Sequence, residues 1–200
     1  MLFARTVFFM KRFRWIFACL LLGTLCLLTA QAMARQQAIS GKLIRLHVIA
    51  NSDSEADQKE KLRVRDAILS EISKQNWQSR ADAAQWLEEN ESTLLQCAEE
   101  ELDNRCAVSI RFDEEWYPTR TYDTFSLPAG KYLSLRVKIG EAKGRNWWCV
   151  VYPSLCAMPV SEFTQSGLTQ GEAAWLTEDS ASVKIDFWLL EQIEKALKGI

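Results

Sequence analysis

Few residues in this sequence are of types that carry chemistry, and their spacing limits what they can do. There is one histidine, His47, against six cysteines. A thiol and an imidazole can form a nucleophile–base pair, and Cys149 with His47 is the combination to weigh. His47, however, sits inside a run of strand-forming residues, where a lone histidine is more often packed or solvated than a base. Cys149 has a nearer partner in Cys156, and a disulfide between them removes the nucleophile. Zinc is poorly served, because the sequence has no Cys-x-x-Cys and no histidine pair. Gly140 and Gly144 lack the lysine–serine ending of a phosphate loop and read as turn residues. The acids Glu88, Glu89 and Glu99 to Glu101 fall on one solvated helix face. The sequence therefore assigns no catalytic residue, no metal ligand and no cofactor.

The N-terminus sets the compartment. Arg5, Lys11, Arg12 and Arg14 precede an apolar run from Ile16 to Leu28, and Ala30, Ala32 and Ala34 follow. A basic start, a short apolar run and an Ala-x-Ala site make an export signal over residues 1–34. It is cleaved after Ala32 or Ala34, or retained as an anchor over Ile16 to Ala34, with its basic end cytoplasmic. Four of the 24 basic residues and none of the 26 acidic ones lie in residues 1–34, so the rest carries a net charge of −6. Such a domain has no electrostatic reason to seek nucleic acid or an anionic membrane surface.

Cys19 and Cys26 belong to the signal. Cys97, Cys106, Cys149 and Cys156 remain, and four cysteines allow three pairings. A Cys149–Cys156 bridge closes a small loop across Pro153, worth roughly 2.5 kcal/mol in the chain-entropy picture. A Cys97–Cys106 bridge links a helix end to a strand start. The alternative is that some are buried apolar thiols.

These residues need elements to position them. Residues 35–42 read as a flexible lead-in, and 43–200 as a single α+β domain. Residues 43–50 form a strand. Ser54, with Asp57 three residues on, caps a helix to about Lys74, with Lys59, Lys61, Arg63 and Arg65 outward. Ser79 with Asp82 caps a second helix to about Leu102, closed by Asp103 and Asn104. Val108, Ile110 and Phe112 alternate in a strand over 106–113, and 116–127 is an extended connection. Leu133, Leu135, Val137 and Ile139 alternate with Tyr132, Ser134, Arg136 and Lys138, the period of a half-buried strand. Gly140 and Gly144 bracket a hairpin loop into 146–152, apolar on both faces and so placed inside the sheet. After a loose stretch to Ser180, Val183, Ile185 and Phe187 alternate in a short strand before a last helix. The total is a mixed or antiparallel sheet of about four strands packed with three helices, and the crossover after the first strand allows one parallel pair.

Three stretches resemble stage II sporulation protein R of endospore-forming bacteria. One runs from Ile44 to Lys59 through Asn51-Ser52-Asp53-Ser54, and on through Val64 to Ala67. Another runs from Leu127 to Tyr132, then Leu135 to Val137, Ile139-Gly140, and Gly144 to Cys156 through Asn146-Trp147-Trp148-Cys149. Tyr117 to Tyr122 is the third. The resemblance covers residues 43–156 and the export signal; Cys97, Cys106 and the segment after Cys156 lie outside it. It implies a signalling protein, made in the forespore and exported into the space between forespore and mother cell. There it would trigger a membrane-embedded aspartic protease that processes the precursor of sigma-E.

On that reading the partner-binding candidates are Asn51, Asp53, Arg120, Tyr122, Asn146, Trp147 and Trp148, because tryptophan, tyrosine and arginine anchor protein surfaces. Trp147 and Trp148 point to opposite sides of their strand, so one belongs to the core, and Asn51 and Asp53 can also serve to shape a turn. The alternatives are a cell-wall enzyme using Cys149 or an acid, and a structural envelope module.

Overall fold

The computed structural model describes residues 2–103 and 105–198, with side-chain surroundings over 13–103 and 105–197; Asn104 lies outside them. Helix α1 (Leu2–Ser40) leads into strand β1 (Ile44–Ile49). Helices α2 (Glu55–Ser73), α3 (Arg80–Glu89) and α4 (Glu91–Glu101) follow, then β2 (Val108–Tyr117), the short pair β3 (Arg120–Thr121) and β4 (Ser126–Leu127), β5 (Gly130–Ile139) and β6 (Asn146–Tyr152). A 3-10 turn (Val160–Glu162), α5 (Gln170–Thr177) and α6 (Ala181–Lys198) complete the chain.

The fold is α+β. Its four-stranded mixed sheet has the order β2-β5-β1-β6. β1 runs parallel to β5, while β6 and β2 are antiparallel to their neighbours. Side-chain alternation gives the sheet two faces. Ile44, Leu46, Val48, Leu135, Val137 and Ile110 pack beneath α2, α3 and α4, against Val64, Ile68, Leu87, Leu94 and Ala98. Tyr117, Tyr132 and Val150 face the other way, into a second core with Ile39 of α1, Trp175 of α5 and Phe187 and Leu190 of α6. That second cover extends over only part of its face. The remainder, around His47, Arg136 and Asn146, is polar.

Several expectations change. β5 and β6 are not a hairpin, because β1 lies between them and hydrogen-bonds to both. The 140–145 loop therefore crosses the end of β1. β6 is an edge strand, and it is apolar on both faces because each face is roofed by a core: Val151 belongs to the first and Val150 to the second. The lead-in is helical through Ser40, with Gln36 and Ile39 buried. The single helix to Leu102 is two, broken where Asn90 leaves helical geometry (φ −111°, ψ 16°). Val183, Ile185 and Phe187 belong to α6; Val183, Phe187 and Leu190 are buried at helical spacing while Ile185 is exposed. Helix α5 lies in the supposedly loose stretch, started by a Thr169–Glu172 capping box. Beyond α1, the described helices thus number five rather than three. Within α1, Phe13–Ser40 is long and apolar enough to cross a membrane, as a signal or anchor requires.

Candidate functional site

The loop crossing β1 is bound to the β1–α2 turn by a dense latch. Asn51 Oδ1 accepts from the Glu141 amide at 3.0 Å, and Asp53 Oδ1 from the Arg145 amide at 2.7 Å. The Lys143 and Gly144 amides donate to the carbonyls of Asn51 (3.1 Å) and Ala50 (2.9 Å). Lys61, read from the sequence as outward, is buried and donates to the Arg145 carbonyl at 3.0 Å. Asn51 Nδ2 donates to Asp57 at 2.9 Å, and Ser52 Oγ also bonds Asp57. These bonds hold the Asp57 carboxyl below its ordinary range. Gly140 and Gly144 are required by close approach. A Cβ on Gly140 would lie 2.2 Å from Asn51 Oδ1, and one on Gly144 2.2 Å from the Ser52 carbonyl oxygen. Asn51 and Asp53 thus hold the loop that leads into β6, with the Asp53 carboxylate exposed.

That start carries Asn146, exposed, with Trp147 and Trp148 half-buried on opposite faces. Trp147 packs on the helical side, with the Arg65 guanidinium 4.9 Å from its ring centroid. Trp148 lies on the polar side. The β3–β4 pair, closed by the Tyr122 amide donating to the Phe125 carbonyl at 2.8 Å, sets Arg120 over it, 3.4 Å from the ring centroid. Arg120 is exposed. Tyr122 stacks on Phe125 at 4.7 Å and its hydroxyl accepts from Arg45 at 2.8 Å, so it faces inward and its hydroxyl is pushed up by burial.

Beneath this surface runs a polar chain that the sequence reading left in pieces. His47 Nδ1 meets Glu115 Oε1 at 3.0 Å and Nε2 meets Asn146 Oδ1 at 2.9 Å. Arg136 reaches Glu115 at 3.4 Å and Asp113 at 3.0 Å. Ser134 donates to Glu115 at 3.3 Å and shares a 2.6 Å hydrogen bond with Tyr117. Burial pushes the Glu115 carboxyl up, but the hydrogen bond and charge of His47, joined by Arg136, outweigh it and leave it lowered. Arg45 is fully buried, its guanidinium 3.8 Å and 4.9 Å from the Tyr117 and Tyr132 ring centroids, and among the described residues Nε and Nη1 have no partner.

Both ring nitrogens of His47 are thus engaged, and Ser134 is inaccessible. Hydrogen bonds of this kind fix side-chain positions; those of His47 fix Asn146 and, through the His47 ring 5.2 Å away, Trp148. The signal for it was strand alternation: Arg45 and His47 in β1, Glu115 and Tyr117 in β2, and Ser134 and Arg136 in β5 each occupy the face opposite the helical core.

The cysteines divide. Cys149 and Cys156 lie together on one groove beside Val150, whose amide donates to the Cys156 sulfur at 3.3 Å. Cys97 and Cys106 do not meet. Cys97 sits by Glu71 and Lys74, whereas Cys106 sits by Gly140 and Asn51, at the end of α2 marked by Asp57. Glu71 and Asp57 are fourteen residues apart on one helix, about 21 Å along its axis, while a disulfide needs Cα atoms within about 7 Å. In this structure the two thiols sit toward opposite ends of α2 and are not joined. Among the described residues, no group of three or more histidine, cysteine or acidic side chains is placed to hold a metal ion.

Stage II sporulation protein R matches this sequence over residues 40–162. The chain belongs to the stage II sporulation protein R family. A curated member from Bacillus subtilis (strain 168), "Stage II sporulation protein R", is 33% identical over 181 residues, covering 86% of this chain and 73% of its own. No solved structure matches significantly. Membership supports a role in sporulation signalling, and the matched span contains the sheet, α2 to α4, the latch and the Arg120–Trp148 stack.

Proposed function

We propose that this chain is an exported signal that activates a membrane-embedded aspartic protease of the mother cell, leading to processing of the sigma-E precursor. On this reading the domain works in the space between forespore and mother cell, held by α1 or released from it. Family membership over residues 40–162 carries the reading. The exposed polar face supports it. Arg120, Trp148 and Asn146 meet on one surface and are held by internal hydrogen bonds and ring contacts. A surface held in place before binding costs little ordering on association, and arginine and tryptophan are its usual anchors. A ligand that binds the active arrangement of the protease better than the inactive one shifts its population.

The test is deletion of the gene in the source organism, scored by cleavage of the sigma-E precursor. Cleavage should fail and return with the parent gene. Complementation with Arg120→Ala should restore folded protein but little cleavage. Normal cleavage without the gene overturns the proposal.

A further inference from the structure

Two thiols of unequal character meet beside the edge strand β6. Cys149 is buried within the strand, while Cys156, at the far end of the turn through Pro153, is exposed. The Cys156 sulfur accepts from the Val150 amide at 3.3 Å, and the Cys149 thiol donates to the Val150 carbonyl at 3.6 Å. A backbone amide donating to a sulfur favours its thiolate. The buried Arg45 guanidinium adds positive charge to the same site; among the described residues its one hydrogen-bond partner is the Tyr122 hydroxyl, and no carboxylate pairs with it. The neighbouring Cys149 thiol outweighs burial and holds Cys156 below the ordinary thiol value, while the Cys156 sulfur and burial drive Cys149 well above it. A groove of about 930 Å³, lined by Trp77, Trp147, Tyr152 and Met158, opens onto both residues. An exposed cysteine whose thiol is held below its ordinary value, next to a buried partner thiol, is the arrangement that thiol–disulfide exchange requires.

We propose that Cys149 and Cys156 form a reversible dithiol–disulfide site, oxidised by the disulfide of a thiol oxidoreductase in the compartment to which the domain is exported. The Cys156 thiolate attacks one sulfur of the incoming disulfide, forming a mixed disulfide and releasing the other sulfur as a thiolate. Cys149 gives up its proton to that thiolate or to water. It then attacks the Cys156 sulfur and expels the second oxidant thiolate. The domain loses two electrons and two protons, and the oxidant's disulfide becomes a dithiol. The new bond ties the 153–156 turn to β6 and closes one end of the groove. This chemistry does not depend on what the domain activates, so it can be tested without any signalling readout.

The test uses the full chain in detergent micelles, equilibrated with glutathione disulfide and reduced glutathione over a range of ratios. Samples are quenched in acid, alkylated under denaturing conditions and mapped by mass spectrometry. Cys149 and Cys156 should lose alkylation together as the ratio becomes oxidising, joined to each other, and regain it when reduced glutathione is restored. In Cys149→Ser, Cys156 should hold glutathione as a stable mixed disulfide. In Cys156→Ser, Cys149 should react at least about tenfold more slowly. The parent titration decides the pairing even if a variant fails to fold. Alkylation of both sulfurs at every ratio overturns the proposal, as does a bond to another cysteine, a bond that resists excess reduced glutathione, or equal rates in the two variants.

Discussion

Replacing Gly144 by alanine tests whether the latch orders the fold. The added Cβ would lie 2.2 Å from the Ser52 carbonyl oxygen and 2.5 Å from its carbon, both backbone atoms. No rotamer relieves that contact, so the loop must retreat by about 1 Å to reach ordinary van der Waals separation. Such a shift strains the neighbouring amide bonds of Lys143, Gly144 and Arg145, which stand at 3.1, 2.9 and 2.7 Å. At about 1 kcal/mol for each weakened bond, the loss is about 2–3 kcal/mol, within the range of overpacking. In a domain of this size that lowers Tm by about 4–12 °C. Gly171, in α5, is the control: a methyl group added there would meet nothing within 4 Å, and its alanine variant should gain up to about 1 kcal/mol. Urea unfolding followed by tryptophan fluorescence measures both. A Gly144→Ala variant within about 0.5 kcal/mol of the parent refutes the latch, and so does an equal loss at Gly171.

Arg45 should tolerate removal of its charge better than removal of its bulk. Losing two cation–π contacts at about 2 kcal/mol each and one hydrogen bond at about 2 kcal/mol is offset by relief of a desolvation penalty of several kcal/mol. Arg45→Met should therefore unfold within about 2 kcal/mol of the parent, while Arg45→Ala, leaving a void, costs about 3–5 kcal/mol; chemical denaturation separates them, and equal losses refute the balance. Glu115, held below its ordinary 4.5, stabilises the fold above that value and loses the contribution as pH falls through its lowered pKa. Tm of the parent should drop more steeply between about pH 5 and pH 3 than that of Glu115→Gln, and parallel curves would sink the assignment. Arg120→Ala should change stability by under about 1 kcal/mol in thermal melts while removing most of the signalling; a large stability loss would mark Arg120 as structural.

The α+β class, the apolar N-terminal helix and the strand faces were legible in the sequence because they rest on local signals. Ser54 and Ser79 cap helices, residues 133–139 alternate, and a basic start precedes an apolar run. The last helix was expected, but its first turns read as a strand because Val183, Ile185 and Phe187 fit a period of two over a span too short to exclude 3.6. The insertion of β1 between β5 and β6 was invisible, since strand order depends on contacts across about ninety residues. That insertion decides the candidate site. It places Asn51 and Asp53 against the loop before Asn146, and it sets Arg45 and His47 beside Glu115, Ser134 and Arg136. The sequence also brought Cys149 and Cys156 together, because a turn through Pro153 is local. Which of the two sulfurs is exposed, and which donor and cation act on it, follow only from the packing of β1 against β6.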